Sequence, residues 1–85
     1  MTELNTLRGI GEEMETKLKS IGISSAEDLV ETGSENAFLR LKMKHPNVCL
    51  VHLQVLEGAI TDVEYNQLSE EAKTRLKDFS DSLKD

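Results

Sequence analysis

Apolar residues recur along this chain at helical spacing, in short bursts cut by glycine, serine and proline. Met14, Leu18 and Ile21 stand at i, i+4 and i+7, one face of a helix, and Glu12 and Glu13 fill its first turn. Residues 4–8 suggest a short preceding helix that stops at Gly9-Ile10-Gly11. Ile21-Gly22-Ile23 ends the Met14 helix, with Gly22 suited to the left-handed position just past a C-terminus. Ser24-Ser25-Ala26-Glu27 has the capping-box form, so Ser24 is expected to cap a helix with Leu29 and Val30 on its apolar face and Gly33 at its end. Ser34 is expected to cap the next, where Ala37, Phe38 and Leu41 face inward until Pro46-Asn47 breaks it.

Residues 48–56 are the most apolar stretch, and the β-branched Val48, Val51 and Val55 would suit a strand. Two arguments favour helix. The apolar pattern continues through Gly58, Ala59 and Ile60, a run of about 12–13 residues, too long for a typical strand. No second strand-like segment exists to satisfy a strand's backbone groups. The segment is expected to be the central buried helix, with Gly58 allowing a close approach. After a turn near 62–68, Ser69 caps a last helix with Ala72, Leu76, Phe79 and Leu83 on one face and Glu71–Arg75 as an i, i+4 pair. The expectation is a single all-α domain over residues 1–85, a compact orthogonal bundle of five or six short helices opened by a helix-hairpin-helix.

The hairpin is the most informative element. Glycines at 9 and 11 let the backbone turn sharply, and Ile10 between them anchors the turn in the core. The free N–H groups of such a hairpin and of the helix after it can hold an anion, usually a DNA phosphate. That makes Arg8, Gly9, Ile10, Gly11, Lys17 and Lys19 the candidate contact residues for a phosphate backbone or for a protein partner. Glu12 and Glu13, directly after the second glycine, oppose a phosphate there.

Charge changes the picture further. The chain is net −6, and residues 1–33 set Arg8, Lys17 and Lys19 against seven carboxylates. Such a surface repels nucleic acid unless positive charge is concentrated locally. Arg40, Lys42 and Lys44 are the candidate basic patch, although Lys42 and Lys44 also suit a helix C-terminus. Phe38, Tyr65 and Phe79 are too few, and two of them too inward, for a single-strand stacking platform.

Catalytic chemistry finds little to build on. Cys49 and His52 stand at i, i+3 with His45 nearby, yet one Cys and two His fall short of a structural zinc set, and Pro46 interrupts the approach. Nucleophilic catalysis by Cys49 would need a third orienting group beside His52. Glu12/Glu13 and Glu70/Glu71 sit at helix starts, where acids are expected. Neither a metal, a cofactor nor catalysis is expected. A lone cysteine, no export signal and no apolar run approaching ~20 residues point to a soluble cytoplasmic protein with no membrane role.

The sequence resembles the C-terminal domain of TfoX, the bacterial regulator of competence and DNA transformation. Leu7-Arg8-Gly9-Ile10-Gly11, Ile21-Gly22-Ile23 and Glu27-Asp28-Leu29 carry the first part of the resemblance. Gly33 through Ala37-Phe38-Leu39-Arg40-Leu41-Lys42, then Pro46-Asn47-Val48 and Leu53-Gln54-Val55-Leu56-Glu57-Gly58-Ala59, carry the rest. Tyr65 stands where that family often has Trp, and TfoX itself carries an N-terminal domain, so the chain reads as a stand-alone form of the C-terminal half. The resemblance implies a non-enzymatic regulatory or adaptor module, acting through a protein partner of unknown identity. Non-sequence-specific DNA binding through the hairpin backbone is the alternative. Small cores often gain stability by oligomerising, so a homo-oligomer is compatible with this reading.

Overall fold

Leu4 is the first fully buried side chain, and it lies on a single 3-10 turn, Leu4–Thr6. The computed structural model describes residues 2–83. Five α-helices follow among them: α1 Glu12–Ser20, α2 Ala26–Thr32, α3 Ser34–Lys44, α4 Leu50–Thr61 and α5 Glu70–Ser82, with a second 3-10 turn, Tyr65–Gln67, between the last two. The fold is all-α. α3 and α4 form its centre: α1 and α2 pack on α3, while the second 3-10 turn and α5 pack on α4. Leu18, Leu29, Phe38, Leu41, Leu53, Leu56 and Leu76 are fully buried between them, each contributing roughly 1.5–3 kcal/mol by leaving water.

The segment before the glycine hairpin is not the helix that its sequence suggests. Three residues of 3-10 turn close with Leu7 N–H donating to the Leu4 carbonyl, and the chain then extends. Two α-helices flanking Gly9-Ile10-Gly11 are therefore not what opens this fold. Helix nucleation explains the difference: a segment this short gains too few backbone bonds to offset fixing its dihedrals.

At its C-terminus α1 follows the expected stop. Ile23 N–H donates to the Leu18 carbonyl and Gly22 N–H to the Lys19 carbonyl, the paired bonds of a Schellman motif, and Leu18 and Ile23 are buried beside it.

Several boundaries shift by one residue. Ser25, not Ser24, caps α2, its hydroxyl accepting the Asp28 N–H at 3.1 Å. Ser24 instead donates to the Asp28 carboxylate, and Glu27 accepts from Thr2. Two adjacent serines made both registers plausible, and the choice places Leu29 in the core but leaves Val30 55% exposed. Gly33 occupies the caps at both the end of α2 and the start of α3, so Ser34 is a helical residue and not a cap. α4 starts at Leu50 and buries Leu53, Leu56, Gly58 and Ala59, while Val51 is half exposed. It is central but not buried all round.

Gly58 does permit a close approach. A Cβ there would run into the Val63 carbonyl oxygen and crowd the Tyr65 backbone, so the second 3-10 turn packs directly on the α4 backbone. On α5, Ser69 caps as expected, accepting the Ala72 N–H at 3.1 Å. The expected Glu71–Arg75 pair does not form. Arg75 reaches across to α4 and α3, to Glu57 at 2.8 Å and Glu35 at 3.6 Å. A partly buried carboxylate offers a guanidinium more than a solvated neighbour does.

Candidate functional site

Gly9 has φ +81, a conformation that requires glycine, and its Cα faces Val55 of α4. Ile10 is buried below it, as the hairpin reading expects. Gly11 differs: its extended backbone, φ −92, suits any residue at the N-cap of α1, and no neighbour lies where its Cβ would be. Among the hairpin glycines only Gly9 is required by the turn.

The three candidate cations around this hairpin are each paired. Arg8 Nε donates to Asp62 at 3.3 Å and its Nη1 to Glu64 at 3.0 Å. Those bonds, with Glu64 the larger contributor, raise the guanidinium pKa further above its ordinary value. Lys17 pairs with Glu13 at 3.0 Å, which lowers the Glu13 carboxyl below its usual range, and Lys19 lies 3.8 Å from Glu15. Positive charge is therefore not concentrated at the hairpin.

The second candidate set does not assemble either. On α3, Lys42 turns toward the Val48 carbonyl at 3.4 Å, its ammonium 6.0 Å from the Phe38 ring centre. Lys44 donates to the Ser20 carbonyl at the end of α1, 3.0 Å away. Arg40 borders a shallow depression beside Gly22, Asp28 and Glu31. Arg40 and Lys44 are one turn apart on α3, but Lys42 between them points to the opposite side, so the three make no common face.

What the fold does bring together was not anticipated from the sequence. Lys17 from the hairpin set and Lys44 from the basic set line one groove of about 530 Å³, with His45, Val48, His52 and Glu13. The Cys49 N–H donates to His52 Nδ1 at 3.1 Å, so that nitrogen is unprotonated and the ring carries its proton on Nε2. Cys49 and His52 form a capping box at the start of α4 in place of the usual Ser and Glu. Ser20 gives its hydroxyl proton to the Lys17 carbonyl, so His45 Nε2, 3.1 Å away, is the donor to Ser20 Oγ. Burial first, and then the charge of Lys17, lower the His52 pKa, while Glu13 opposes them. Among the described residues, no group of three or more His, Cys, Asp or Glu is arranged to hold a metal ion.

A second surface lies where the N-terminal segment crosses α2. The Thr2 carbonyl accepts the Ala26 N–H at 2.8 Å, and Thr2 donates its own N–H and hydroxyl to Glu27. These bonds, with the Thr2 N–H first, hold the Glu27 carboxyl below its ordinary pKa. Leu7, Ala26 and Val30 form an apolar groove of about 470 Å³ here, with Glu27 and Glu31 on its rim.

Glu57 is a further residue that sequence reasoning passed over except as part of a motif. Its carboxylate accepts from Ser34 Oγ at 2.6 Å and from Arg75 at 2.8 Å, joining α3, α4 and α5. The signal in the sequence is a lone carboxylate inside the most apolar helix.

The profile of the TfoX C-terminal domain family matches residues 1–80. The chain belongs to that family. Solved structures of similar size superpose closely. An uncharacterized protein from Listeria monocytogenes, crystallised in a triclinic form, aligns with TM-score 0.94 at 36% identity, over 96% of this chain and 93% of that one. A tetragonal crystal form of a protein of unknown function from the same organism gives TM-score 0.93 at 36% identity, over 96% of this chain and 100% of that one. No protein of curated function matches. Members of the TfoX C-terminal domain family are regulatory, competence-related domains. Within this one, no helix among the described residues is long and apolar enough to cross a membrane.

Proposed function

We propose that this domain is a non-enzymatic regulatory module that acts by binding another protein. The pairing of Arg8 with Asp62 and Glu64 is the observation that carries this reading. A hairpin that grips phosphates needs uncommitted positive charge beside its backbone amides, and here two carboxylates stand at the one arginine it has. A protein partner makes no such demand. The apolar groove of Leu7, Ala26 and Val30, rimmed by Glu27 and Glu31, suits a partner surface with an apolar anchor and basic neighbours.

The rival reading, DNA binding through the hairpin backbone, rests on the Gly9 turn and on the first amides of α1, which have no carbonyl within their own helix to bond. Affinity capture from nuclease-treated host lysate, with wild-type and Val30→Glu baits compared by quantitative mass spectrometry, separates the two. The protein-binding reading expects a specific set of proteins that Val30→Glu loses. Capture that disappears with nuclease treatment, or that Val30→Glu leaves unchanged, contradicts it.

A further inference from the structure

We propose that the groove between α1, the 45–48 turn and the start of α4 binds a phosphate monoester, with Lys17 and Lys44 supplying charge and His52 Nε2–H supplying an oriented donor. The groove shares no residue with the Leu7–Val30 surface, and the proposal stands independently of the function proposed above.

Three observations support it. First, the groove gathers two ammonium groups and two imidazoles from α1, α3, the turn and α4 in a chain of net charge −6, with Glu13 the one carboxylate in its lining. Second, the tautomer is fixed. Because Cys49 N–H occupies Nδ1, His52 presents a donor and not a lone pair, which fits an oxyanion and opposes a metal cation, as do the two lysines. Third, the charges are available. Lys17 faces a single carboxylate, Glu13, where Arg8 is held by two, and the Glu13 side chain is 86% exposed, so a doubly charged ligand can compete for Lys17 as it cannot for Arg8. Lys44 spends one N–H on the Ser20 carbonyl and keeps two. A groove of about 530 Å³ holds more than a phosphate group, so the phosphate arrives on a larger body, either a small metabolite or a phosphorylated side chain.

The test is an NMR titration of the whole chain at constant ionic strength, with inorganic phosphate, ribose 5-phosphate and a phosphoserine peptide as probes and chloride as the control. The expected result is saturable shifts at residues 17, 44, 45 and 52, with the His52 ring titrating at higher pH when phosphate is bound. Affinity should fall at least tenfold in Lys17→Met and about fivefold in His52→Leu, while His52→Gln, which keeps an N–H donor, retains most of it. The ranking of the two organic probes separates a metabolite from a phosphorylated chain. Lys44→Met gives up a contact with α1, so Lys17→Met decides if that variant fails to fold. Shifts that chloride reproduces, shifts elsewhere on the surface, or saturation that Lys17→Met leaves intact would each overturn the proposal.

Discussion

Arg8 and Asp62 are 54 residues apart in sequence, yet the guanidinium Nε lies 3.3 Å from the carboxylate. Asp62 is the left-handed residue that ends α4, φ 59, so the stop of one helix supplies the counter-charge of the hairpin. Removing that charge along with its neighbour, as Asp62→Asn with Glu64→Gln, frees Arg8 without disturbing the stop, because asparagine accepts the left-handed conformation. The expected outcome is an unchanged circular dichroism spectrum and a gain of affinity for duplex DNA at low salt relative to wild type. No gain would show that the pairing is not what limits the hairpin.

Glu57 is the polar joint of the core side of the molecule. It accepts from Ser34 and Arg75 with its own side chain only 14% exposed. Glu57→Ala removes hydrogen bonds to a charged group and leaves the buried Ser34 hydroxyl without its partner, a cost of about 2 kcal/mol in urea unfolding. Arg75→Ala, at a half-exposed site, is expected to cost under about 1 kcal/mol. Equal losses from the two would mean that the ion pair, and not the Ser34 bond, carries the stability.

Two glycines with opposite requirements give a paired prediction. Gly58→Ala places a methyl group against the Val63 carbonyl, which is backbone and cannot swing away, so the second 3-10 turn must move. The gain of about 1 kcal/mol in helix propensity is outweighed by overpacking of about 1–3 kcal/mol, and the net change is a loss. Gly11→Ser meets open space at a cap with extended backbone and adds a hydroxyl acceptor, so stability rises by a few tenths of a kcal/mol. Thermal melts of both variants check the two signs.

His52 makes stability depend on pH in a defined direction. Burial, then Lys17, keep its folded pKa below the ordinary 6.5, against the opposing charge of Glu13. The unfolded chain therefore takes up the proton first. Its contribution is complete above about pH 6.5 and is lost as pH falls below that value. Urea midpoints measured in chloride buffers between pH 7.5 and 5.5 are expected to decline more in wild type than in His52→Gln. A parallel decline in both proteins would assign the dependence to other groups.

The helices were legible because their signals are local. The Schellman stop at Gly22, the cap at Ser69 and the stripe from Ala72 to Leu83 need only a few neighbouring residues, and each is found where it was expected. Single-residue registers were less legible. Ser24 and Ser25 offer the same chemistry, and only packing of Leu29 into the core chooses between them. The groove residues were hidden for a different reason. Lys17 and Lys44 are 27 positions apart, and the i, i+3 spacing of Cys49 and His52 raises zinc and nucleophile–base chemistry before it suggests the Cys-x-x-His capping box that the pair forms. Local spacing pairs Arg75 with its helical neighbour Glu71, since nothing local announces that Glu57 is within reach.

The measurement closest to the central claim is fluorescence anisotropy of labelled duplex DNA with the wild-type domain across a salt series, beside Gly11→Asp. That variant keeps a residue type suited to the cap and puts a negative charge where a phosphate would sit. The account predicts no binding by wild type at ~50 mM salt, where phosphate contacts are strong. Binding that weakens steeply with salt and vanishes in Gly11→Asp would contradict it and make the hairpin a phosphate clamp.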